Sequence, residues 1–175
     1  DFGSQYKGGY RSWWGFETLP EVDEETPSYV EFITGPGGVI DTWLRRGAAG
    51  FRLDVADELP DEFIEKVRAA VKRVSPEKFL LGEVWEDATT KFGFDKRRTY
   101  LLGKGLDSVM NYPFKNAVLG FVCGRDAGQT MTDILSICEH YPAPALDTAL
   151  NFLSTHDTER ALTVIADEPA NGRGR

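Results

Sequence analysis

The stretch GFRLDVADE, residues 50–58, is a short and largely apolar run that ends in acidic residues. Such a run is typical of a buried β-strand followed by a turn. A second run of the same kind, FLLGEVWEDA at residues 79–88, follows a segment in which isoleucine and valine recur at spacings of three and four residues. That spacing, over residues 61–74, predicts a helix with one apolar face. Strand, helix and strand in this order favour a parallel sheet with helices packed outside it.

The same alternation continues outward in both directions along the chain. It predicts strands at residues 50–55, 79–84, 106–112 and 146–154. It predicts helices at residues 29–47 with an interruption at 35–38, and at residues 61–74, 93–103, 115–122, 130–140 and 159–166. Residues 1–28 are rich in glycine, aromatic and acidic residues without a regular period, so we expect a long loop there. Four strand–helix units are about half of a (β/α)8 barrel, which typically has ~250 residues. The chain is therefore predicted to be an α/β protein, a partial TIM (β/α)8 barrel over residues 29–175.

The composition argues against several classes of partner. The chain has 175 residues, 41% of them hydrophobic, and a formal net charge of -8. Binding of nucleic acid requires clustered Lys and Arg, so this balance argues against it. No run approaches the ~18 apolar residues that a membrane helix needs. The two cysteines are too few for a disulfide framework. The compartment stays open, with a bacterial cytoplasmic location favoured over secretion.

Asp54 is the first candidate catalytic residue, because it stands where the first strand ends. In a parallel α/β barrel the active site lies at the carboxyl ends of the strands. Arg52, two residues earlier, should project from the same face of the strand. An arginine there would keep the Asp54 carboxylate ionised, as a nucleophile must be. The alternative is a purely structural Arg–Asp pair, and this segment by itself leaves both interpretations open.

Glu83 ends the second strand in the same way. Gly82 leaves room beside it, and Val84 and Trp85 are expected to form an apolar wall. Such a wall disfavours the ionised form of a carboxyl group, as a general acid requires. The alternative is that the acidic residues after Trp85, Asp87 in particular, cap the next helix.

Asp157 follows the fourth predicted strand, directly after His156. Asp157 would also suit the cap of a helix that starts near Thr158, and a single histidine is usually structural. The combination of three strand ends with carboxylates is more specific. Along the chain, one strand–helix unit separates Asp54 from Glu83, and two units separate Glu83 from Asp157. A retaining glycosidase needs two carboxyl groups ~5–5.5 Å apart, which neighbouring strands can provide.

These three segments resemble the second, third and fourth conserved regions of the α-amylase superfamily, glycoside hydrolase family 13. WWGF at residues 13–16, with Leu19 and Pro20, resembles the stretch that leaves the small inserted domain after the third strand. VMNYPF at residues 109–114 resembles the sixth strand of the neopullulanase and cyclomaltodextrinase branch. The resemblance covers nearly the whole chain. It implies that residues 1–28 are the loop that leaves the inserted domain, and that the rest is about strands four to seven of the barrel with their helices.

The resemblance also implies catalytic roles. By position, Asp54 matches the nucleophile, Glu83 the acid/base and Asp157 the third carboxylate, which binds sugar hydroxyls. The implied activity is retaining hydrolysis of α-glucans by double displacement. The alternatives are a glucanotransferase on the same scaffold and a non-catalytic relative that serves as a binding subunit.

Three further residues match substrate-binding positions of the family. Arg52 matches the arginine beside the nucleophile, and His156 the histidine that binds sugar in the cleavage subsite. Trp85 matches a stacking platform on the acceptor side. Glu86 stands where many members have histidine. No cofactor is implied, and no metal is assigned, because the usual calcium site draws on residues outside this stretch. The expected partner is an α-glucan, and the full-length parent is expected to form a homodimer.

Overall fold

A computed structural model of the chain describes residues 2–167. The helices are α1 (Pro27–Thr34), α2 (Val39–Arg45), α3 (Asp61–Val74), α4 (Tyr112–Val122), α5 (Ala127–His140), α6 (Ala143–Asp147) and α7 (Ala161–Asp167). The strands are β1 (Gly50–Leu53), β2 (Phe79–Gly82), β3 (Phe92–Gly93), β4 (Lys96–Arg97) and β5 (Ser108–Val109). Short 3-10 turns lie at Lys7–Gly9, Trp13–Gly15 and Ala56–Glu58.

The sheet that carries the site is parallel and follows the order of the chain. Its strands are ordered β1, β2, β5. Arg52 pairs with Leu81, and Leu81 in turn with Ser108. A parallel bridge between Met110 and Leu150 places the segment around Leu150 next to the one that follows β5. The predicted parallel sheet in sequence order is therefore confirmed.

The larger hydrophobic core lies between this sheet and α3. Ile64, Val67 and Val71 of α3 are almost completely buried, and Leu80 of β2 packs in the same cluster. Burial of one such side chain contributes roughly 1.5–3 kcal/mol. Acidic residues occupy the first turn of α3 and basic residues its last turn, which complements the helix dipole. The periodicity of residues 61–74 thus predicted both the bounds and the buried face of this helix.

A smaller apolar cluster lies on the opposite face of the sheet. It contains Leu81, Met110 and Tyr112, with Phe79 and Phe152 packed against them. Because neighbouring residues of a strand point to opposite faces, Leu80 enters the larger core while Leu81 enters this one. The smaller cluster supports the side chains at the rim of the sheet.

The helix predicted at residues 93–103 is wrong. The chain forms a short antiparallel hairpin of β3 and β4 instead. Phe94 and Asp95 have positive φ angles of 53° and 58° at its turn. The side chain of Arg98 is 0% exposed, and its guanidinium donates to Asp61 Oδ1 and to the carbonyls of Asp57 and Leu59. Residues 93–103 were predicted to be helical, whereas Arg98 within them is a buried anchor for the loop after β1.

The strand predicted at residues 146–154 is also wrong in large part. Residues Ala143–Asp147 form α6, which starts at a proline-rich first turn, and only Leu150 bridges to Met110. Proline suits the first turn of a helix because its missing N–H has no partner there in any case. The third strand is likewise shorter than predicted, since α4 starts at Tyr112, where the Asn111 side chain caps it.

The remaining predictions agree better with the structure. The helix predicted at 29–47 is divided into α1 and α2 at the expected break. Of the predicted loop at 1–28, residues 2–26 contain only short turns and isolated bridges before α1 begins at Pro27. None of the helices between residues 2 and 167 has the length and apolar character needed to cross a lipid bilayer. Residues 168–175 of the predicted barrel lie outside the described part of the chain.

Candidate active site

The ends of the parallel strands place the candidate residues at one rim. Asp54 follows the last residue of β1, and Glu83 follows the last residue of β2. The backbone ladder continues past both strands, because Glu83 N donates to Leu53 O at 2.9 Å and Ala56 N donates to Glu83 O at 3.0 Å. The two candidate carboxylates are therefore held on directly paired backbone.

Arg52 connects the predicted carboxylates. Its Nη1 donates to Asp54 Oδ1 at 2.6 Å, and its Nη2 lies 3.1 Å from Glu83 Oε2 and 4.0 Å from Asp157 Oδ2. Nη2 is buried and lacks the angle of a hydrogen bond, so its contacts are ionic. Because a guanidinium is planar and rigid, Asp54 Oδ1 and Glu83 Oε2 lie within about 8 Å of each other.

The charge of Arg52 is permanent in this setting. Burial opposes it, but the hydrogen bond to Asp54 and the negative charge of Glu83 outweigh burial and raise the pKa of Arg52. One cation thus faces three carboxylates. Arg52 thereby reduces the repulsion among these carboxylates.

Glu83 is the buried member of the group, with 3% of the residue exposed. Val55 N donates to its Oε2 at 2.9 Å. Trp85 Nε1 donates to its Oε1 at 3.0 Å, and the Tyr112 hydroxyl donates to the same oxygen at 3.3 Å. The expected apolar wall is wrong for Trp85, because its indole presents an N–H to Glu83 rather than a hydrocarbon face.

Val55 reaches Glu83 through an unusual backbone conformation. Its φ of 42° and ψ of 49° lie in the left-handed region, which a β-branched residue rarely adopts. Strain of this kind costs roughly 1–3 kcal/mol and concentrates at functional sites. Here it accompanies a turn that directs the Val55 N–H to the carboxylate of the neighbouring strand.

Asp54, His156 and Asp157 are the open members of the group. The side chains of Asp54 and Asp157 are 74% and 38% exposed, and that of His156 is 75% exposed. His156 Nε2 lies 3.1 Å from Asp157 Oδ2. Asp157 does not cap the next helix, since α7 begins at Ala161 and the Asp157 carboxylate turns toward Arg52 and His156. The structure thus brings these residues to the same rim.

Trp85 and Tyr112 form an aromatic stack beside Glu83. Their ring centroids are 4.7 Å apart, and Phe152 meets Tyr112 edge-on at 4.8 Å. Burial raises the pKa of Tyr112, and the negative charge of Glu83 adds to this, although a hydrogen bond with Thr155 acts in the opposite direction. The phenol is therefore neutral at physiological pH.

Sequence reasoning missed two of the groups that contact Glu83. Tyr112 lies three residues after the end of β5, so the rule of strand ends that selected Asp54 would have pointed to this part of the chain. The backbone N–H of Val55 carries no signal in the sequence, because its position depends on a left-handed turn that valine disfavours.

Asp87 also differs from its predicted role. It caps no helix, because the next helix, α4, begins only at Tyr112. Its Oδ1 accepts from the backbone and hydroxyl of Thr89, and its Oδ2 contacts His140 Nδ1 at 2.7 Å. Within residues 2–167, no group of three or more His, Cys, Asp or Glu side chains is arranged to hold a metal ion.

A cleft of about 1070 Å³ opens beside Asp54. Asp54, Val55 and Glu58 line it on one side. Residues of the N-terminal loop line another side, among them Trp13 and Trp14. The exposed carboxylate of Asp54 therefore borders a space large enough for a ligand.

A parallel α/β unit with polar groups gathered at the carboxyl ends of its strands has the site arrangement of α/β-barrel enzymes. The family model "Alpha amylase, catalytic domain" matches residues 6–173. The chain belongs to this family, which confirms the resemblance found in the motifs.

Relatives and solved structures agree with this assignment. An amylopullulanase of Thermoanaerobacter thermohydrosulfuricus is 34% identical to this chain, and the match covers 95% of this chain. A cyclomaltodextrinase of a Bacillus species is 36% identical, and the match covers 85% of this chain. The structure of the cyclic α-maltosyl-(1→6)-maltose hydrolase of Arthrobacter globiformis in complex with that sugar matches with a TM-score of 0.81 and 29% identity, over 90% of this chain and 34% of that one. The chain spans 13% and 25% of the lengths of the two relatives.

Proposed function

We propose that this chain carries the catalytic centre of a retaining hydrolase that cleaves α-glucosidic bonds in α-glucans. The main support is the position of Arg52, whose guanidinium contacts both Asp54 and Glu83 at one rim of the sheet. The substrate class is supported by the amylopullulanase and cyclomaltodextrinase names of relatives that share about a third of its residues.

Asp54 is the nucleophile in this proposal. Its side chain is largely exposed beside the cleft, and Arg52 Nη1 donates a hydrogen bond to its Oδ1. An oxygen of the carboxylate attacks the anomeric carbon while the bond to the glycosidic oxygen breaks. The product of this step is a β-linked glucosyl ester of Asp54.

Glu83 is the acid and base. In the first step its carboxyl proton passes to the departing glycosidic oxygen. In the second step its carboxylate takes a proton from water, whose oxygen attacks the anomeric carbon and releases Asp54. The Tyr112 hydroxyl suits this alternation, since a hydroxyl can donate to a carboxylate and accept from a carboxylic acid.

Asp157 and His156 bind hydroxyl groups of the sugar at the reacting position. Both side chains are accessible, and their mutual contact orients them. The Asp157 carboxylate also adds negative charge near the anomeric carbon, which favours the oxocarbenium-like transition state.

The place of the chain within a barrel forms part of the proposal. We infer that β1, β2, β5 and the segment at Leu150 correspond to strands four to seven of a (β/α)8 barrel. Residues 1–28 would then leave a domain inserted after strand three. The parallel order of the strands and the family membership support this inference.

The proposal is tested with the full-length protein on maltoheptaose, pullulan and β-cyclodextrin. Release of reducing sugar from at least one of them, abolished in Glu83→Gln, is the expected result. Formation of longer oligosaccharides without net hydrolysis would identify a glucanotransferase instead. Absence of any reaction from a folded protein would favour a non-catalytic binding subunit and overturn the proposal.

A further inference from the structure

We propose that the exposed face of Trp14 is a binding platform for a glucosyl unit of the α-glucan substrate, adjacent to the unit that reacts at Asp54. This inference rests on the proposed function and assigns a role to the N-terminal loop. It adds a substrate-binding site to the catalytic rim.

Trp14 combines exposure with an ordered position. The residue is 75% exposed. One face of its indole stacks on Trp13, with ring centroids 4.9 Å apart and planes inclined by 17°. Trp13 in turn stacks on Phe16 at 6.2 Å. Trp14 also has a positive φ of 49°, so its backbone adopts a strained conformation at this place.

Glu58 holds both indole rings. Its Oε2 accepts from Trp13 Nε1 at 2.6 Å, and its Oε1 accepts from Trp14 Nε1 at 3.0 Å. Glu58 lies in the turn directly after β1, four residues beyond Asp54. One carboxylate thus fixes two aromatic rings relative to the loop that carries the nucleophile.

The cleft beside Asp54 joins the platform to the reaction site. Its volume of about 1070 Å³ includes Asp54 and Trp14 in the same lining and exceeds the typical ~300–1,000 Å³ of pockets for small ligands. Asp57 and the ion pair of Arg11 with Glu21 also border it. Flat rings beside polar groups suit a sugar, whose ring has an apolar face and whose hydroxyls form hydrogen bonds.

Trp85 is less suited to bind this neighbouring unit. One face of its ring is covered by Tyr112, and its N–H is used by Glu83. A change at Trp85 would therefore disturb the catalytic carboxylate together with any sugar contact. The N–H of Trp14 is bound to Glu58 instead, so a change at Trp14 should affect substrate binding more than the chemical step.

The test measures binding of maltoheptaose to the full-length protein that carries Glu83→Gln, so that no turnover intervenes. Adding Trp14→Ala should raise the dissociation constant about tenfold, which corresponds to about 1.4 kcal/mol. Adding Trp14→Phe should restore affinity to within about threefold of the parent, since phenylalanine keeps a flat ring. Trp43→Ala is the matched control, because Trp43 is a half-exposed tryptophan on α2 outside this cleft.

Glu58→Ala, introduced alone and together with Trp14→Ala, distinguishes a role in sugar binding from a role in folding. Glu58→Ala should weaken binding of maltoheptaose in the parent but have no further effect in the Trp14→Ala background, since it acts through the ring. An unchanged dissociation constant in Trp14→Ala would overturn the inference. So would weaker binding accompanied by a lower melting temperature or a changed oligomeric state that Trp14→Phe fails to restore. Hydrolysis of maltoheptaose by the unmodified protein tests the proposed function separately.

Discussion

Arg52 lies on β1 and Glu83 directly follows the neighbouring parallel strand β2, and Arg52 Nη2 approaches Glu83 Oε2 to 3.1 Å while both groups are largely withdrawn from solvent. Their side chains are 29% and 4% exposed. An ion pair in this position is costly to break from one side, because loss of Arg52 leaves the Glu83 carboxyl group buried with its hydrogen bonds but without a counter-charge.

The Arg52–Glu83 pair leads to a prediction about stability. Arg52→Met should destabilise the protein by about 1–3 kcal/mol, less than loss of one partner from a fully buried pair, because Glu83 keeps three hydrogen-bond donors. The double variant Arg52→Met with Glu83→Gln should recover part of this loss, because no buried charge then remains. Denaturant unfolding of the unmodified protein, the two single variants and the double variant measures the coupling free energy between the two side chains. Strictly additive effects would show that the two side chains act independently.

Loss of either reacting carboxylate should abolish most turnover. Asp54→Asn removes the proposed nucleophile, and Glu83→Gln removes the proton donor. Each is expected to lower kcat on maltoheptaose by at least about 10³-fold in the full-length protein. Circular dichroism and melting temperature verify that the variants are folded. Near-normal turnover in either one, with contamination excluded, would refute the corresponding role.

The sugar should be released with its α configuration retained. Retaining enzymes hold their two carboxyl groups ~5–5.5 Å apart and inverting ones ~6.5–9.5 Å apart. The shared contact with Arg52 limits the separation of Asp54 and Glu83 to about 8 Å, and retention follows from the proposed roles of Asp54 as nucleophile and Glu83 as acid/base. Proton NMR of the first product, recorded before mutarotation, distinguishes the two outcomes. An initial β anomer would contradict double displacement.

The free energy of unfolding should decline at alkaline pH, because the buried phenol of Tyr141 ionises less readily in the folded protein than in the unfolded chain. Burial raises the pKa of Tyr141 to about 12 from 10.0. The unfolded state therefore releases this proton first as the pH rises. The stability associated with the neutral phenol is fully present below pH 10.0 and is lost between about 10 and 12. Unfolding free energies measured across this range should fall less steeply in Tyr141→Phe. An equal slope in both proteins would argue against this cause.

The 175-residue chain by itself should be a poor catalyst. Within residues 2–167, β1 pairs only with β2, which leaves one edge of the sheet without a strand partner. Such an edge promotes association, and the cleft would have fewer walls to position a sugar. A displacement of the bound sugar by about 1 Å from the reacting groups can lower the rate ~100-fold. Turnover by this chain as fast as that of the full-length protein, and absent from its Glu83→Gln variant, would show that these residues suffice.

The sequence predicted the candidate residues at the rim of the sheet better than the loops around them. Asp54 and Glu83 follow from one rule, that a buried parallel strand ends at the functional edge of the sheet. The orientation of Arg52 follows from the period of two in a strand. These features depend on backbone geometry that many sequences share, so a pattern of apolar and acidic residues is enough to reveal them.

The errors arise where tertiary contacts override local pattern. Arg98 belongs to a stretch that was predicted to be helical, yet it is buried among carbonyls from the loop after β1. Trp85 was expected to offer an apolar face, but the direction of its N–H depends on its stack with Tyr112. Neither arrangement can be derived from neighbours in the sequence, since each is determined by residues tens of positions away.

The left-handed turn at Val55 has a consequence for engineering this protein. Glycine, and to a lesser degree asparagine, adopts such a conformation with little strain, so a selection for heat tolerance alone would favour these residues at position 55. The relaxed turn would no longer be confined to the conformation in which its N–H meets Glu83. A library built for thermostability should therefore keep this position fixed, since greater stability there would weaken the support of the proposed acid/base Glu83.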